Sequence, residues 1–253
     1  RTDMKPGKLQ PSILRALMLA SLLCMTSSLS AQTSDAPVDV TILAINDFHG
    51  NLEPPPGGVR IADPSDITKT INVEAGGAEH LSTLVTELRA TNKNNIFVAA
   101  GDLIGASPFL SAMFHDEPTV NSLSMMGLAI ASVGNHEFDE GKDELLRMQN
   151  GGCHPVDGCK GPSPFTGARY KYLAASTFDT ATGKTLLPPY EIREFEGVPI
   201  AFIGLTLKAT PTMVSPSGVA GLEFKDEADT VNALVPEIRA RGVEAIVVLI
   251  HQG

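Results

Sequence analysis

The stretch Gly134-Asn135-His136-Glu137-Phe138-Asp139 sets an amide, an imidazole and two carboxylates directly after the apolar run Leu128-Ala129-Ile130-Ala131-Ser132-Val133. Other apolar runs end in the same manner. Asp47 and His49 follow Val38 to Asn46, Gly101 and Asp102 follow Ile96 to Ala100, and His251 follows Ala245 to Ile250. Carboxylate oxygen and imidazole nitrogen together bind zinc, manganese or iron, and the lack of thiolate argues against a structural zinc. Each signal alone is weak, because an Asp-x-His pair after a strand is more often a cap or a turn. Repetition at successive strand ends reverses that balance, since ligands gather in the crevice at the carboxyl ends of strands in an α/β sheet.

These residue types suit two divalent ions, zinc, manganese or similar, with one carboxylate shared between them. Asp102, held by a tight turn at Gly101, is the candidate bridge. Two ions carry about +4 and Asp47 with Asp102 return about −2, so the site stays cationic and attracts a phosphate dianion. Asn135, as a neutral oxygen ligand, preserves that surplus. Such a pair makes a nucleophile from water at neutral pH and clamps the oxygens of an in-line displacement. His136, oriented by Asp139 three residues on, fits the remaining need for a proton donor to the leaving group.

Rigid elements must hold these groups. The apolar patterning predicts strands over Val38–Asn46, Ile96–Ala100, Leu128–Val133, near Tyr172–Ala175, over Tyr190–Phe195 and Val198–Leu205, and over Ala245–Ile250. Helices are expected over Gly77–Asn92, with Ala78, Leu81, Leu84, Val85 and Leu88 on one face, and over Pro118–Met126, Gly141–Gln149 and Glu227–Arg241. Strands alternating with helices, most of them apolar on both faces, give an α/β layered fold. A hairpin around Gly197 makes the sheet mixed. There is no internal repeat.

Composition narrows the function classes. The 253 residues, 43% of them hydrophobic, suffice for a sizeable core. The net charge of −10 disfavours a general nucleic-acid binder. Lys5, Lys8 and Arg15 lead into the apolar run Ile13 to Met25 and then Ser27, Ser28, Ser30 and Ala31, which reads as a secretory signal over residues 1–31 and not as a membrane span. A lipoprotein signal using Cys24 is the rival reading. Cleavage would leave residues 32–253 as one secreted or periplasmic domain, without stable membrane insertion. It would also leave Cys153 and Cys159 as the cysteines, in a Gly- and Pro-rich loop suited to a short disulfide that stabilises by about 2 kcal/mol. A Cys/His zinc site with His154 is the alternative, and it makes a poor tetrahedron. His80 reads as a helix-surface residue, and His115 as a loop residue near the Asp102 segment. Met125 and Met126 read as packing. A phosphate-cradling P-loop and a Gly-x-Ser-x-Gly elbow are both absent.

The segments AINDFHG, AAGDLIGASP, VGNHEFDEG and VVLIHQG, in this order, resemble the metallophosphoesterase domain of secreted 5′-nucleotidases. That group includes bacterial UDP-sugar hydrolases and 2′,3′-cyclic-nucleotide phosphodiesterases. The resemblance covers residues 38–253 and implies a calcineurin-like sandwich of mixed sheets flanked by helices. It implies Asp47, His49, Asp102, Asn135 and His251 as metal ligands, Asp102 bridging, with His136 and Asp139 as a catalytic dyad and a nucleotide as substrate. Family members carry a later Gly-His-x-His motif with two more ligands and then a nucleoside-binding domain. This sequence contains neither, so the resemblance implies an incomplete metal site and assigns no nucleobase contacts. A secreted binding protein on an inactive phosphoesterase scaffold is the non-enzymatic alternative.

Overall fold

The structure is a computed structural model that describes residues 36–161 and 163–252. The expected signal segment lies outside the described residues. Along the chain come β1 (Thr41–Ile45), β2 (Val59–Asp63), β3 (Asp66–Val73), α1 (Gly77–Ala90), β4 (Asn95–Ala99), α2 (Phe109–Ala112), α3 (Glu117–Met125) and β5 (Ile130–Ser132). Then follow α4 (Lys142–Asn150), β6 (Lys171–Leu173), β7 (Thr177–Asp179), β8 (Lys184–Thr185), β9 (Tyr190–Phe195), β10 (Val198–Thr206), β11 (Leu222–Phe224), α5 (Glu227–Ala240) and β12 (Ala245–His251).

Two main sheets stack face to face. The first has the order β1-β4-β5-β6 and is wholly parallel, each crossover carrying a helix. The second, β12-β10-β9, joins a parallel pair to an antiparallel one, and the hairpin expected around Gly197 is its β9–β10 turn. The mixed character expected of one sheet therefore belongs to the second alone.

The period-two alternation of strand side chains builds the layers. Ile96, Val98, Ile130 and Leu173 of the first sheet meet Ile200, Phe202 and Leu249 of the second, forming the core between them. Phe97, Ala99, Ala131 and Tyr172 point the other way, onto Val85 of α1, Leu123 of α3 and Leu145 and Met148 of α4. Ala201, Ile203 and Leu205 on the outer face of the second sheet pack on Ile238 of α5. The order is helices, sheet, sheet, helix. Full burial of each large apolar side chain stabilises by about 1.5–3 kcal/mol, which makes this alternation the main determinant of layer order.

Some elements differ from the sequence reading. The β2–β3 hairpin was not expected, because its strands are mostly exposed, Ile67 to 83%, and have no buried face to impose a pattern. In α1, Val85 is buried and Leu81 packs on the core, whereas Leu84 and Leu88 are exposed. Cys153 and Cys159 form a disulfide with Cα atoms 4.4 Å apart.

Candidate metal centre

Because β1, β4 and β5 run parallel, their carboxyl ends open on the same edge. The loops after β1 and β4 remain paired beyond the strands: Asp47 N–H donates to the Gly101 carbonyl at 3.1 Å and His49 N–H to that of Asp102 at 3.1 Å. The second sheet joins at this edge through Thr206, whose hydroxyl donates to the Val133 carbonyl at 2.7 Å. Asp47, His49 and Asp102 all have left-handed backbone, with φ of 52°, 45° and 51°. Non-glycine residues in that region are strained and concentrate at functional sites. Gly134 is required by close approach, since a Cβ there would lie 2.1 Å from Oδ1 of Asp102. Gly101 combines φ of 96° with close quarters of its own, its notional Cβ falling 2.7 Å from the Gly134 nitrogen.

Ligand-capable atoms converge in two groups, Asp47 with Asp102 and His251, and His49 with Asp102 and His136, each within 4.8 Å. Asp102 belongs to both. Its Oδ1 accepts the His136 backbone N–H at 2.9 Å, and its Oδ2 lies 3.0 Å from Nε2 of His251 and 3.8 Å from Nε2 of His49. Nδ1 of His49 sits 2.9 Å from the Gly105 carbonyl, and Nδ1 of His251 3.1 Å from that of Ala100. A carbonyl can only accept, so both rings donate an N–H from Nδ1 and turn Nε2 towards the shared carboxylate. This is the outer-shell arrangement that orients metal-binding histidines. The donor set fits divalent cations. Burial alone would raise the Asp102 carboxyl, but the hydrogen bond from His251, the His136 N–H and the histidine charges hold it below the usual carboxylate range. The same hydrogen bond raises His251 above the ordinary histidine value, against its own burial.

Asn135 is buried and begins a 3-10 turn, His136–Phe138, without its side chain capping that turn. Residues three apart eclipse in a 3-10 turn, and Asp139 accordingly sits 2.8 Å from Nδ1 of His136 through Oδ2. The His136 ring meets that of His49 edge-on at 5.0 Å. Burial would lower His136, but Asp139, with the charges of Asp102 and Glu137, raises it. Nε2 of His136 is thus the ring nitrogen free of Asp139.

The comparisons with known proteins bear on this geometry. The profile of the calcineurin-like phosphoesterases matches residues 40–253. The chain belongs to the calcineurin-like phosphoesterase family. The chain is 40% identical to the endonuclease YhcR of Bacillus subtilis over 85% of its own length and 17% of that protein. It is 28% identical to a 5′-nucleotidase of Vibrio cholerae, over 99% of this chain and 40% of the other. Among solved structures, the NAD nucleotidase of Haemophilus influenzae matches with a TM-score of 0.67 and 26% identity, over 85% of this chain and 34% of that one. The chain thus spans less than half of the length of each of these relatives. Its family uses divalent metals, in keeping with the donor groups at the strand ends.

Glu137 was not singled out from the sequence. It is buried, and its carboxylate accepts backbone N–H groups from Asp102 at 2.9 Å, Leu103 at 2.8 Å and Gly134 at 2.6 Å. Burial and the nearby Asp102 charge push its carboxyl up to about 7 against those three donors. The one signal available was an acidic residue between two expected site residues, with nothing to mark it as buried.

His115, Glu140, Glu144 and His154 form another gathering of ligand-type atoms. Each already has protein partners. Arg147 holds both oxygens of Glu144, at 2.8 and 2.7 Å. His115 reaches Glu140 through Nδ1 at 2.9 Å and Asp157 through Nε2 at 3.0 Å. Nδ1 of His154 accepts the N–H groups of Val156 and Asp157, at 3.3 and 3.0 Å, and its ring stacks on His115 at 3.9 Å. This network ties the disulfide loop to the segment after Asp139 and is structural. His80 is exposed, bonded through Nδ1 to the Gly76 carbonyl at 2.8 Å.

Proposed function

We propose that this domain hydrolyses phosphate esters of nucleotides, with two divalent ions, zinc or manganese or similar, held at the strand-end edge. Asp47, His49, Asp102, Asn135 and His251 would hold the ions in this reading, with Asp102 common to both donor groups. The single observation that carries it is the membership of Asp102 in both converging donor groups. Bound ions of this kind supply an activated water and positive charge for the phosphoryl oxygens. The chain's own residues do the rest. Asp139 orients His136 through Nδ1, and His136 presents Nε2 to the leaving oxygen as proton donor. In a chain of net charge −10, the ions also account for how an anionic substrate is attracted. Relatives named 5′-nucleotidase and 2′,3′-cyclic-nucleotide 2′-phosphodiesterase/3′-nucleotidase support the substrate class. Residues 1–31 act as a secretory signal and residues 32–253 as the phosphoesterase domain. A relative named as a cell wall protein and the lack, among the described residues, of any helix long and apolar enough to cross a membrane are compatible with export.

A second reading is favoured by one observation. The relative that is 40% identical is named an endonuclease, so the same centre could act on phosphodiester bonds within a nucleic-acid strand. The experiment is to measure metal content and product release on the full-length protein with AMP, 2′,3′-cyclic AMP and single-stranded DNA. Phosphate from AMP that disappears in Asp102→Ala supports the first reading, and strand cleavage without phosphate release supports the second. Neither product, from protein loaded with metal, sinks both.

A further inference from the structure

We propose that Glu137 is the positioning residue of the metal-binding edge, fixing where the Asp102 carboxylate stands. This inference rests on the reading of Asp102 as the shared metal ligand. The loop after β4 and the loop after β5 are strapped together from both sides. Glu137, on the second loop, accepts N–H groups of Asp102 and Leu103 from the first and of Gly134 from its own. Asp102, on the first loop, accepts the His136 N–H from the second through Oδ1. The two carboxylates are thus reciprocal. Each holds the backbone that carries the other, and Oδ2 of Asp102 is left to face His251 and His49.

The strap answers a specific mechanical need. Asp102 stands in left-handed backbone at φ 51°, a conformation that a non-glycine residue keeps only when its surroundings over-determine it. Two consecutive N–H groups, of Asp102 and Leu103, fixed on the two oxygens of one buried carboxylate, supply that determination. A carboxylate suits the task better than an amide, because both its oxygens accept and neither donates. In the Glu137→Gln variant the amide nitrogen would face a backbone N–H, donor against donor. Glu137 has no route to a substrate phosphoryl group, since it is 3% exposed and both its oxygens are engaged. It therefore acts through Asp102.

The test compares Mn2+ affinity by calorimetric titration and thermal midpoint for the full-length protein and for Glu137→Gln, Glu137→Asp and Glu144→Gln. Loss of an outer-shell partner typically weakens metal binding about 10–100-fold, and that is the loss expected in Glu137→Gln. Glu137→Asp keeps the charge but is one methylene short, and should fall between the two. Glu144→Gln also disturbs a buried carboxylate, held by Arg147, and should lower the midpoint while keeping wild-type Mn2+ affinity. Wild-type affinity in Glu137→Gln overturns the proposal, as does an equal loss in Glu144→Gln. Should Glu137→Gln fail to fold, the Asp variant decides, and unchanged affinity there overturns the role. A wild-type protein that takes up no Mn2+ overturns the metal reading itself, an outcome distinct from metal uptake that is indifferent to Glu137.

Discussion

Oδ2 of Asp102 lies 3.0 Å from Nε2 of His251, although the first follows a strand of one sheet and the second ends a strand of the other. The pair closes the candidate metal centre across the seam of the sandwich. Asp102→Asn keeps the shape and removes the charge of the residue that belongs to both donor groups. The expected outcome is loss of most bound metal, read by elemental analysis after gel filtration, with a thermal midpoint near that of metal-stripped wild type. Full metal content in Asp102→Asn would contradict the shared-ligand assignment.

His136 stands within ligand distance of His49 and Asp102 while its Nδ1 is engaged by Asp139, so ligand and proton-donor roles both compete for Nε2. Removal of a general acid costs about 10²–10⁴ in rate. His136→Ala is expected to lower kcat for phosphate release within that range and to leave metal content unchanged. Asp139→Asn, which removes the orienting charge, should have the smaller effect. A drop in metal content in His136→Ala would make this ring a ligand instead.

Gly134→Ala places a methyl group 2.1 Å from Oδ1 of Asp102. No rotamer choice relieves a Cβ contact, so the loop or the carboxylate must shift. Misplacement of about 1 Å in a reacting constellation can cost about 100-fold in rate. A rate loss of at least about 10-fold is expected on that basis, with circular dichroism unchanged. Wild-type kinetics would show that this edge tolerates movement.

Arg147 is buried and joins Glu117 of α3 to Glu144 of α4, with Nη1 also donating to the Gly152 carbonyl at 2.9 Å. Truncating one member of a buried charge group typically costs about 3–5 kcal/mol, because the partner carboxylates are left uncompensated. Arg147→Met should lower stability by that amount in urea unfolding. The triple variant with Glu117→Gln and Glu144→Gln should recover part of it. A loss below about 1 kcal/mol in Arg147→Met would show that solvent reaches the two carboxylates.

Cys153 and Cys159 close a short loop bearing His154 and Asp157. Replacing both with serine should destabilise by about 2 kcal/mol. At about 2–4 °C per kcal/mol for a chain of this size, the midpoint should fall by about 4–8 °C. Metal content should not change, because the loop's histidine network has protein partners for its ring nitrogens. Metal loss on reduction would tie the loop to the metal-binding edge.

The sequence by itself determined the local frame. The apolar runs that became β4, β5 and β10 carry their own signal, because a strand buried on both faces has few polar residues to interrupt it. The candidate donors after β1, β4 and β5 and at the end of β12 were equally legible, since Asp47, His49, Asp102, His136 and His251 are fixed in type and order by the chain. So was the His136–Asp139 pair, whose spacing of three is local. Tertiary structure decided what depends on contacts between distant segments. It chose two stacked sheets over one, kept the first wholly parallel, and turned His251 onto Asp102 from the opposite sheet. It also buried Glu137, a residue whose neighbours in sequence give no sign that its carboxylate accepts three N–H groups from two loops. Burial and left-handed backbone at Asp102 arise when the loops after β4 and β5 are brought together, and a linear pattern of residue types does not encode that approach.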